Sequence, residues 1–430
     1  MNKIKDNIIH VVRIIKKHGL LGRKRQMKLF YTYRLDPLWY DKKVSRVECR
    51  KMYEIIRKEY DEIRMHLLRG DRIGESIPQY LMAVEDAKRN VDKRILDVFV
   101  LEGPIIHNSR LLAVMSRNIH IVNKENVTVW TYVLSHFPKT EFRKYLYQYS
   151  QREKAGCFNP ENTAQYFTME IDEEKEAEYK KNEMGLSDDF VCIASRDSAY
   201  LDITFSGCDN TYHDYRDSNI NFLNLAAEYL RTKDITTVRM GRFVKNKVQF
   251  DNCIDYANEC YDELMDIALA KECKFFVGDS CGIVILPMVL NVPCALKNVV
   301  PSFLDAWGGH PQNPLNLFIF KKYYYKPEKR FLSIREMMKV EKKCGYFGGQ
   351  YAEEQIEIVE NTAEEILDLV MEMNERIDGT WIETEEDIQL RSQYRNIFNQ
   401  WCEQEHFNTG AMLHANVGAA FLRKNRFLLY

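Results

Sequence analysis

The sequence predicts an α/β fold of two lobes, with a helical segment before them and further helices after them. Three observations support this prediction. A chain of 430 residues is longer than one hydrophobic core usually serves. Apolar runs typical of buried parallel strands, such as Phe190–Ser195, alternate with stretches of helical spacing. A polar segment at Glu183–Asp189 separates two such series, so we expect one lobe on either side of it.

Composition and charge exclude several classes of protein. Hydrophobic residues make up 45% of the chain, which is enough for buried cores and unlike a disordered protein. The formal net charge of −2 argues against a nucleic-acid-binding protein, which must neutralise many phosphates. The 11 cysteines include no Cys-x-x-Cys pair, which favours a reducing compartment, so we expect a cytoplasmic protein. No stretch reaches the roughly 20 apolar residues of a membrane-spanning helix.

Residues 1–93 are expected to form a basic, helix-rich extension. Between residues 7 and 28, apolar residues such as Val11 and Ile15 recur at helical spacing among many lysines and arginines. Such a helix can lie on the anionic inner face of a membrane, and it can equally pack on its own domain. Both interpretations stay open. The Val47–Arg69 stretch has a second helical pattern, which we interpret as a cap or an oligomer contact.

Residues 94–185 are predicted to form the first α/β lobe. The β-type run Arg94–Leu101 ends at the turn Glu102–Gly103–Pro104, a helical stretch follows, and Asn118–Val122 is a second strand candidate. His107, just past the first strand, is a candidate general base, although capping or packing is the favoured alternative. The charge run at Ile171–Lys181 is interpreted as a solvated helix.

Residues 186–350 are predicted to form the second lobe, in which three strands end in residues suited to bind an anion. Arg196 and Asp197 follow one strand, Arg239 and Gly241 follow the next, and Gly278–Gly282 follows a third. Carboxyl ends of parallel strands meet at a ligand crevice, where glycines and helix N–H groups let a phosphate approach the backbone. Each loop alone is equally an ordinary turn or helix cap. Together they predict an anion site, most simply for a diphosphate.

The segment Tyr212–Asn219 of this lobe is unusually rich in functional side chains. His213 and Asp214 lie side by side in it, and Ser218 or Asn219 can cap the helix that follows. The cluster predicts a functional loop, and an ordinary hydrogen-bonded loop is an equally open interpretation.

Missing motifs narrow the chemistry. No Gly-x-x-x-x-Gly-Lys-Ser/Thr loop occurs, which excludes P-loop phosphoryl transfer. No Gly-x-Gly-x-x-Gly follows a strand, which removes the usual dinucleotide-binding motif. No Asp-x-Asp occurs, so the commonest carboxylate pair for a metal-held sugar nucleotide is missing too. Arginines would then balance a diphosphate, and we expect neither a metal nor a cofactor.

Several motifs occur together between about Leu186 and the C-terminus. They are Arg196–Leu201, Tyr212–Arg216, Val238–Gly241, Asp255–Ala257, Cys273–Phe276, Ile377–Trp381 and Phe421–Asn425. As a set, and in this order, they resemble a poorly characterised bacterial family of glycosyltransferases of the GT-B type, associated with surface-polysaccharide synthesis. The resemblance implies two Rossmann-like lobes, with the nucleotide-sugar donor on residues 186–350 and the acceptor side on residues 94–185. A Gly-His loop of the family has only Gly103 and His107 as its counterpart here.

The resemblance also implies a set of donor-binding residues. These are Arg196, Tyr200, Arg239, Gly241, Asp255, Tyr256, Asp279, Ser280, Cys281 and Gly282. In it Arg196 and Arg239 would hold the diphosphate, and residues 279–282 would line the sugar nucleotide. Asp255 and Tyr256 would border the base.

The stereochemistry is expected to be inverting. Retaining enzymes of this fold often carry a pair of glutamates at a fixed spacing, which here would fall at Asp279 and Pro287, so the second carboxylate is missing. An inverting enzyme needs one general base to deprotonate the acceptor hydroxyl. His213 and Asp214 are the first candidates for this base. The further candidates are Asp197, Asp202 and, on the acceptor side, His107.

Residues 351–430 are predicted to contain helices at Ala363–Arg376 and Asp387–Trp401. By the same resemblance these helices would pack back across the lobes, which would let the lobes close over the donor and exclude water.

The sequence thus predicts a hexosyl- or related glycosyltransferase. It would move a sugar from a nucleoside-diphosphate sugar, as co-substrate, to a glycan or lipid-linked acceptor, without a metal. One alternative is a sugar-nucleotide epimerase or hydrolase, or a polysaccharide pyruvyl transferase, on the same fold. Another is a non-catalytic sugar-nucleotide-binding module that assembles partners.

Overall fold

The computed structural model describes residues 45–89, 94–102, 105–123, 126–142, 163–300, 313–345, 347–404 and 415–430. These residues form two units that the chain enters more than once. The first contains the described parts of Met1–Asp71, Met82–Gly103 and Ser116–Gln148, and the second those of Arg72–Leu81, Pro104–Met115 and Tyr149–Tyr430. The predicted helix at residues 7–28, together with Gly103 and Pro104 of the predicted turn, lies outside the described residues.

The first unit is built around a four-stranded parallel sheet. The elements up to residue 142 are α1 (Arg46–Glu59), β1 (Glu62–Arg69), α2 (Ile73–Arg89), β2 (Ile95–Glu102), α3 (Ser109–Met115), β3 (His120–Val122), α4 (Val127–His136) and β4 (Thr140–Phe142). The strand order is β3-β2-β1-β4, and β1 pairs with β2 along its whole length. Apolar residues of β1, β2, α1 and α4, such as Met65, Val98, Ile56 and Trp130, form its core.

The helix predicted over Val47–Arg69 is wrong in its second half. The observed helix, α1, begins at a capping box of Ser45 and Glu48 and ends at Glu59, and β1 follows as a central strand. A central parallel strand is buried on both faces, so it lacks the alternation that marks an exposed strand. In β1 the polar residues Arg64 and His66 also interrupt the apolar run, and both are buried against Asp97 of β2. The apolar residues of this stretch recur at helical spacing by coincidence, which explains the wrong prediction.

The second unit contains the first half of α2, the helix α3 and the described chain from residue 163 onward. Its helices and strands after residue 162 are α5 (Ile171–Glu183), β5 (Phe190–Ile193), α6 (Ala199–Thr204), α7 (Asn224–Arg231), β6 (Thr236–Arg239), β7 (Cys253–Ile254), α8 (Tyr256–Glu259), α9 (Glu263–Glu272), β8 (Phe276–Gly278), α10 (Ile285–Val289), β9 (Cys294–Val299), β10 (Leu317–Phe320), β11 (Lys322–Tyr325), β12 (Arg330–Phe331), α11 (Ile334–Cys344), α12 (Gly348–Glu353), β13 (Ile356–Val359), α13 (Ala363–Ile377), α14 (Glu385–Gln404), β14 (Asn416–Val417) and α15 (Ala419–Lys424). Short 3-10 turns lie at Ala164–Phe167, Thr211–Arg216, Ile220–Leu223, Gly282–Val284 and Arg426–Leu429.

A seven-stranded parallel sheet organises this unit. Its strand order is β14-β10-β9-β8-β5-β6-β7, and a small antiparallel sheet of β12-β11-β13 accompanies it. After β5 the chain adds β6 and β7 on one side, and it then returns to add β8 and β9 on the other. The direction of winding therefore reverses between β5 and β8. Ligands of open parallel sheets bind at such a reversal, beyond the carboxyl ends of the strands.

Most predicted elements of the second unit are confirmed. The strands after Phe190, Thr236, Lys274 and Cys294 and the helices of residues 171–181, 264–270, 363–376 and 387–401 all appear within a few residues of their expected ends. Asn219 caps the 3-10 turn that leads into α7, because its side chain accepts from the N–H of Asn221 at 3.0 Å. The mixed α/β class with parallel sheets is thereby confirmed. The GT-B arrangement of lobes and the packing of the C-terminal helices across them stay predictions.

Two glycines bring the start of α2 against the loop that follows β8. A Cβ atom on Gly74 would lie 3.2 Å from the Cα of Gly282, and one on Gly282 would lie 2.9 Å from Cγ2 of Ile73. Real Cβ atoms are almost never that close to a neighbour, so the backbones approach here because both residues lack a side chain. For Gly282 this contact is a structural reason for glycine besides the predicted approach of a phosphate.

We expect Gly282→Ala to lower the free energy of unfolding by about 1–3 kcal/mol, because the added methyl group overpacks the contact with Ile73. Urea unfolding measures it. Gly349→Ala is the matched control, since a Cβ there meets no atom within 4 Å and alanine favours its helix. Equal effects of the two substitutions would contradict the close approach.

Candidate functional site

A buried ion pair lies where the strand order of the large sheet reverses. Asp279 follows β8 and is 1% exposed, and Lys297 lies inside β9 and is fully buried. The Lys297 ammonium donates to Oδ1 of Asp279 at 2.6 Å, to Ser195 Oγ at 2.8 Å and to Ser218 Oγ at 3.1 Å. Oδ2 of Asp279 accepts from the Arg196 N–H at 2.7 Å and from the Ser218 hydroxyl at 2.5 Å. Every proton of the ammonium thus has an acceptor, as a buried charge requires.

Three cations hold the 3-10 turn Thr211–Arg216 and the residue that follows it, Asp217. Arg196 forms an ion pair with Asp217 and donates to the carbonyl of His213 at 3.2 Å. Lys321 donates to the carbonyls of Tyr215 at 3.0 Å and of Asp217 at 2.6 Å. Burial lowers the pKa of Lys321 to about 8. Arg216 in turn donates to the carbonyl of Ser280 at 2.5 Å.

His213 lies in a strongly positive environment. Its pKa is lowered to about 4, first by burial and then by the charges of Arg216, Arg196 and Arg72. The imidazole is therefore neutral at pH 7. The pKa of Arg196 is itself lowered to about 10, by burial and by the neighbouring Arg216. Asp279 and Asp214 act on Arg196 in the opposite direction, so the site contains carboxylates beside its arginines.

Arg72 is a member of this cluster that the sequence analysis missed. Its guanidinium lies 5.1 Å from the centre of the Phe205 ring, and its Nε is 3.6 Å from the carboxylate of Glu75. The signal was present in the sequence as a strand, a glycine and a helix start, because β1 is followed by Gly70 and then by α2. The sequence does not single out Arg72, because its pattern predicts a helix where the structure has β1.

Oγ of Ser280, a residue that is 8% exposed, and Nδ1 of His213 are among the buried polar atoms of the cluster that have no hydrogen-bond partner in the described part of the chain. A buried polar atom without a partner costs free energy, and native proteins rarely leave one unsatisfied without a functional reason. These two atoms lie on the segments that Arg196 and Arg216 join, which places them at the cationic cluster.

The structure places Arg239 apart from this cluster as a buried structural ion pair. Its guanidinium is 1% exposed and lies 3.0 Å from Oδ1 of Asp255. The other oxygen of Asp255 accepts from the N–H of Val248 and the amide of Asn258, and Tyr256 is fully buried. These side chains stabilise the ends of β6 and β7 from within. Their predicted contacts with a diphosphate and a base stay predictions.

The remaining predicted donor residues have mixed surroundings. Gly241 has φ +146°, and a Cβ there would lie 2.7 Å from Cγ1 of Val244, so glycine is required locally. The ring centre of Tyr200 lies 5.9 Å from that of Phe243. Burial, and then Asp279, raise the pKa of Cys281 to about 11, so its thiol is neutral. The helix that follows this loop, α10, spans only five residues after a 3-10 turn, which gives it little dipole to offer a phosphate.

The candidate bases differ in exposure and in hydrogen bonding. His107 is buried, its Nε2 lies 2.7 Å from Ser76 Oγ, and burial followed by Arg242 lowers its pKa to about 3. This geometry fits the packing alternative better than a base. Asp197 accepts from the N–H groups of Ala199 and Lys245 and so shapes its loop. Asp214 and Asp202 are exposed. These roles also stay predictions.

Two further features of the described residues concern metal ions and membranes. These residues contain no group of three His, Cys, Asp or Glu side chains placed to hold a metal ion. None of their helices is both long and apolar enough to cross a bilayer.

Comparisons with known proteins give weak likenesses. No family model and no curated protein sequence matches the chain. Among solved structures, the E. coli ADP-heptose lps heptosyltransferase II is 12% identical, with 54% of this chain and 84% of that one covered and a TM-score of 0.35. The glycosyl transferase family 9 protein from Veillonella parvula DSM 2008 is 12% identical, with 73% and 98% covered and a TM-score of 0.40.

A third similar structure is that of S. aureus MnaA with UDP. It is 10% identical, with 75% of this chain and 98% of that one covered and a TM-score of 0.27. These TM-scores are too low to carry an inference, so the proposals below rest on the residues of this chain.

We expect Asp279→Asn to lower the free energy of unfolding by about 3–5 kcal/mol, because it leaves the buried Lys297 ammonium without its carboxylate. Adding Lys297→Met should recover part of that loss, since the double variant buries no lone charge. A double-mutant cycle by urea unfolding measures the coupling. Lys326→Met, which removes an ion pair with Glu357 on the surface, is the control and should change stability by less than about 1 kcal/mol. Additive effects at Asp279 and Lys297 would contradict their pairing.

Proposed function

We propose that the second unit binds the diphosphate of a nucleoside-diphosphate sugar through Arg72, Arg196 and Arg216, and that the protein is a glycosyltransferase. One observation carries the proposal: Arg196 donates to the carbonyl of His213 and Arg216 to that of Ser280 at the reversal point of a parallel sheet, and Arg72 is close enough to help lower the pKa of His213. The motif resemblance described above supports the same activity. The acceptor is a glycan or a lipid-linked glycan, and surface-polysaccharide synthesis on the cytoplasmic side is the process proposed.

Arginine suits this ligand for geometric reasons. Its planar fork donates two parallel hydrogen bonds to a phosphate, and it keeps its charge at any physiological pH. The backbone N–H of Arg196 donates to Asp279, so the buried ion pair fixes the main-chain position from which the Arg196 side chain extends. In this proposal Asp279 is a positioning residue, and Ser280 offers its unpartnered hydroxyl to the donor. Arg239 and Asp255 keep the neighbouring loop in place.

His213 is the general base of the proposed reaction. A diphosphate bound beside it would offset the positive charges that lower its pKa, so the imidazole would become more basic once the donor is bound. The acceptor oxygen then forms a bond to the anomeric carbon while the bond from that carbon to the diphosphate breaks. The hydroxyl proton passes to His213, and the electron pair leaves with the diphosphate, whose charge the arginines stabilise. A single base and direct attack give inversion, without a metal.

We expect a nucleoside diphosphate to raise the midpoint of thermal unfolding, and Arg72→Gln and Arg216→Gln each to weaken its binding by about 10- to 100-fold, as loss of a charged hydrogen bond does. Titration calorimetry with UDP, GDP and ADP measures the affinity and identifies the preferred nucleobase. Arg231→Gln is the matched control, because Arg231 pairs with Glu228 on the exposed face of α7. If none of these nucleotides stabilises the wild-type protein, the donor site is refuted.

We expect binding of the nucleoside diphosphate between pH 5 and 7 to take up a proton at His213. The pKa of His213 in the free protein is about 4, and a bound anion raises it, so the protonated imidazole favours binding and the contribution of His213 to affinity falls as the pH rises. Calorimetry in two buffers of different ionisation enthalpy measures the uptake. His213→Gln should remove this uptake and leave only the proton release from the terminal phosphate of the nucleotide, which a cationic site binds best in its fully ionised form. Equal uptake by both proteins would show that His213 does not respond to the ligand.

Acceptor dependence separates a transferase from the other activities proposed from sequence. We expect the sugar nucleotide to be consumed only when an acceptor glycan is present, with His213→Gln lowering turnover by about 100-fold or more, as loss of a general base does. Chromatography of the nucleotide released measures it. Consumption without acceptor would indicate a hydrolase or an epimerase. Wild-type cellular function of an inactive, folded His213→Gln variant would indicate a binding module.

A further inference from the structure

Two aromatic rings beside the cationic cluster are exposed to solvent. Tyr212 is 37% exposed and Phe347 is 58% exposed, and their ring centres lie 6.3 Å apart. On its other side the Tyr212 ring lies against His213, with 3.9 Å between the ring centres. We call Tyr212 and Phe347 the aromatic ledge. It borders the imidazole on which the three arginines act.

The ledge rests on a tightly packed support. A Cβ on Gly348 would lie 3.0 Å from the carbonyl oxygen of Tyr212 and 3.0 Å from Cδ1 of Tyr215, so α12 sits directly on the 3-10 turn that carries Tyr212. Beneath it Tyr215 stacks on the buried Tyr351 with 5.3 Å between ring centres. The positions of both ledge rings are therefore set by packed neighbours, although their own faces remain exposed.

We propose that the aromatic ledge stacks the planar base of the donor nucleotide, an inference that rests on the proposed function. In a nucleoside diphosphate the base lies one ribose away from the phosphates, and the ledge adjoins His213, whose carbonyl accepts from Arg196. Aromatic faces stack on any nucleobase, and this stacking needs exposed rings rather than polar groups. Asp255 and Tyr256, the base contacts predicted from sequence, are buried and offer no such face.

The test compares two ligands that share a diphosphate, of which only one carries a nucleoside. Calorimetry gives the affinities of inorganic pyrophosphate and of whichever nucleoside diphosphate stabilises the protein most. We expect Phe347→Ala and Tyr212→Ala to weaken nucleotide binding by about 5- to 150-fold and to leave pyrophosphate binding unchanged. Tyr212→Phe keeps the ring and should bind the nucleotide as the wild type does. Tyr179→Ala, at an exposed tyrosine of α5, is the control.

Each outcome decides between distinct conclusions. If both alanine variants keep the wild-type preference for nucleotide over pyrophosphate, the ledge does not bind the base, as would be the case if it stacked a sugar of the acceptor. If they lose pyrophosphate binding as well, the rings only support the arginine loop, and the inference is again overturned. If the wild type binds neither ligand, the proposed function fails and this inference fails with it. Phe347 is more than half exposed, so its replacement tests the ledge even if Tyr212→Ala does not fold.

Discussion

The arrangement of the second unit depends on the ion pair between Lys297 and Asp279. Two charges buried from water are costly unless their mutual attraction and their hydrogen bonds offset the loss of hydration. Here both conditions are met by groups from separate parts of the chain: β8 and β9 supply the charges, and Ser195, Ser218 and the backbone of Arg196 supply the hydrogen bonds. The pair therefore fixes the ends of β5 and β8, the strand β9 and one loop relative to each other.

Charges in this unit are arranged in two layers. The inner pair is fully compensated and inaccessible, so it positions other groups without offering itself to a ligand. The outer layer, Arg72, Arg196 and Arg216, is gathered around an imidazole that cannot hold a proton at neutral pH. The hydrogen bond from the Arg196 N–H to Asp279 fixes the backbone that carries this arginine. Arg196 therefore stays near the other two arginines despite the repulsion between their charges. Preorganised positive charge of this kind is what a leaving diphosphate requires.

Much of the second unit could be predicted from sequence, because its strands are plain apolar runs and its arginines follow their ends. The sequence could not distinguish Arg196 from Arg239, since both follow a strand; what separates them is that Asp255, at the end of β7, reaches Arg239 in the core. Strand β1 was hidden because the partner that allows Arg64 and His66 to be buried, Asp97, lies on another strand. Missing β1 also concealed Arg72. In each case the information is a pairing across the sheet, which no local pattern contains.

Several anchors of the loop over the site bind its main chain. Lys321 donates to the carbonyls of Tyr215 and Asp217, and Arg196 donates to the carbonyl of His213. Every amino acid carries the same carbonyl, so these anchors do not depend on which side chains the loop bears. Substitutions at Tyr212 or Asp214 would therefore leave these anchors in place, so the side chains of this segment can change while its backbone keeps its position.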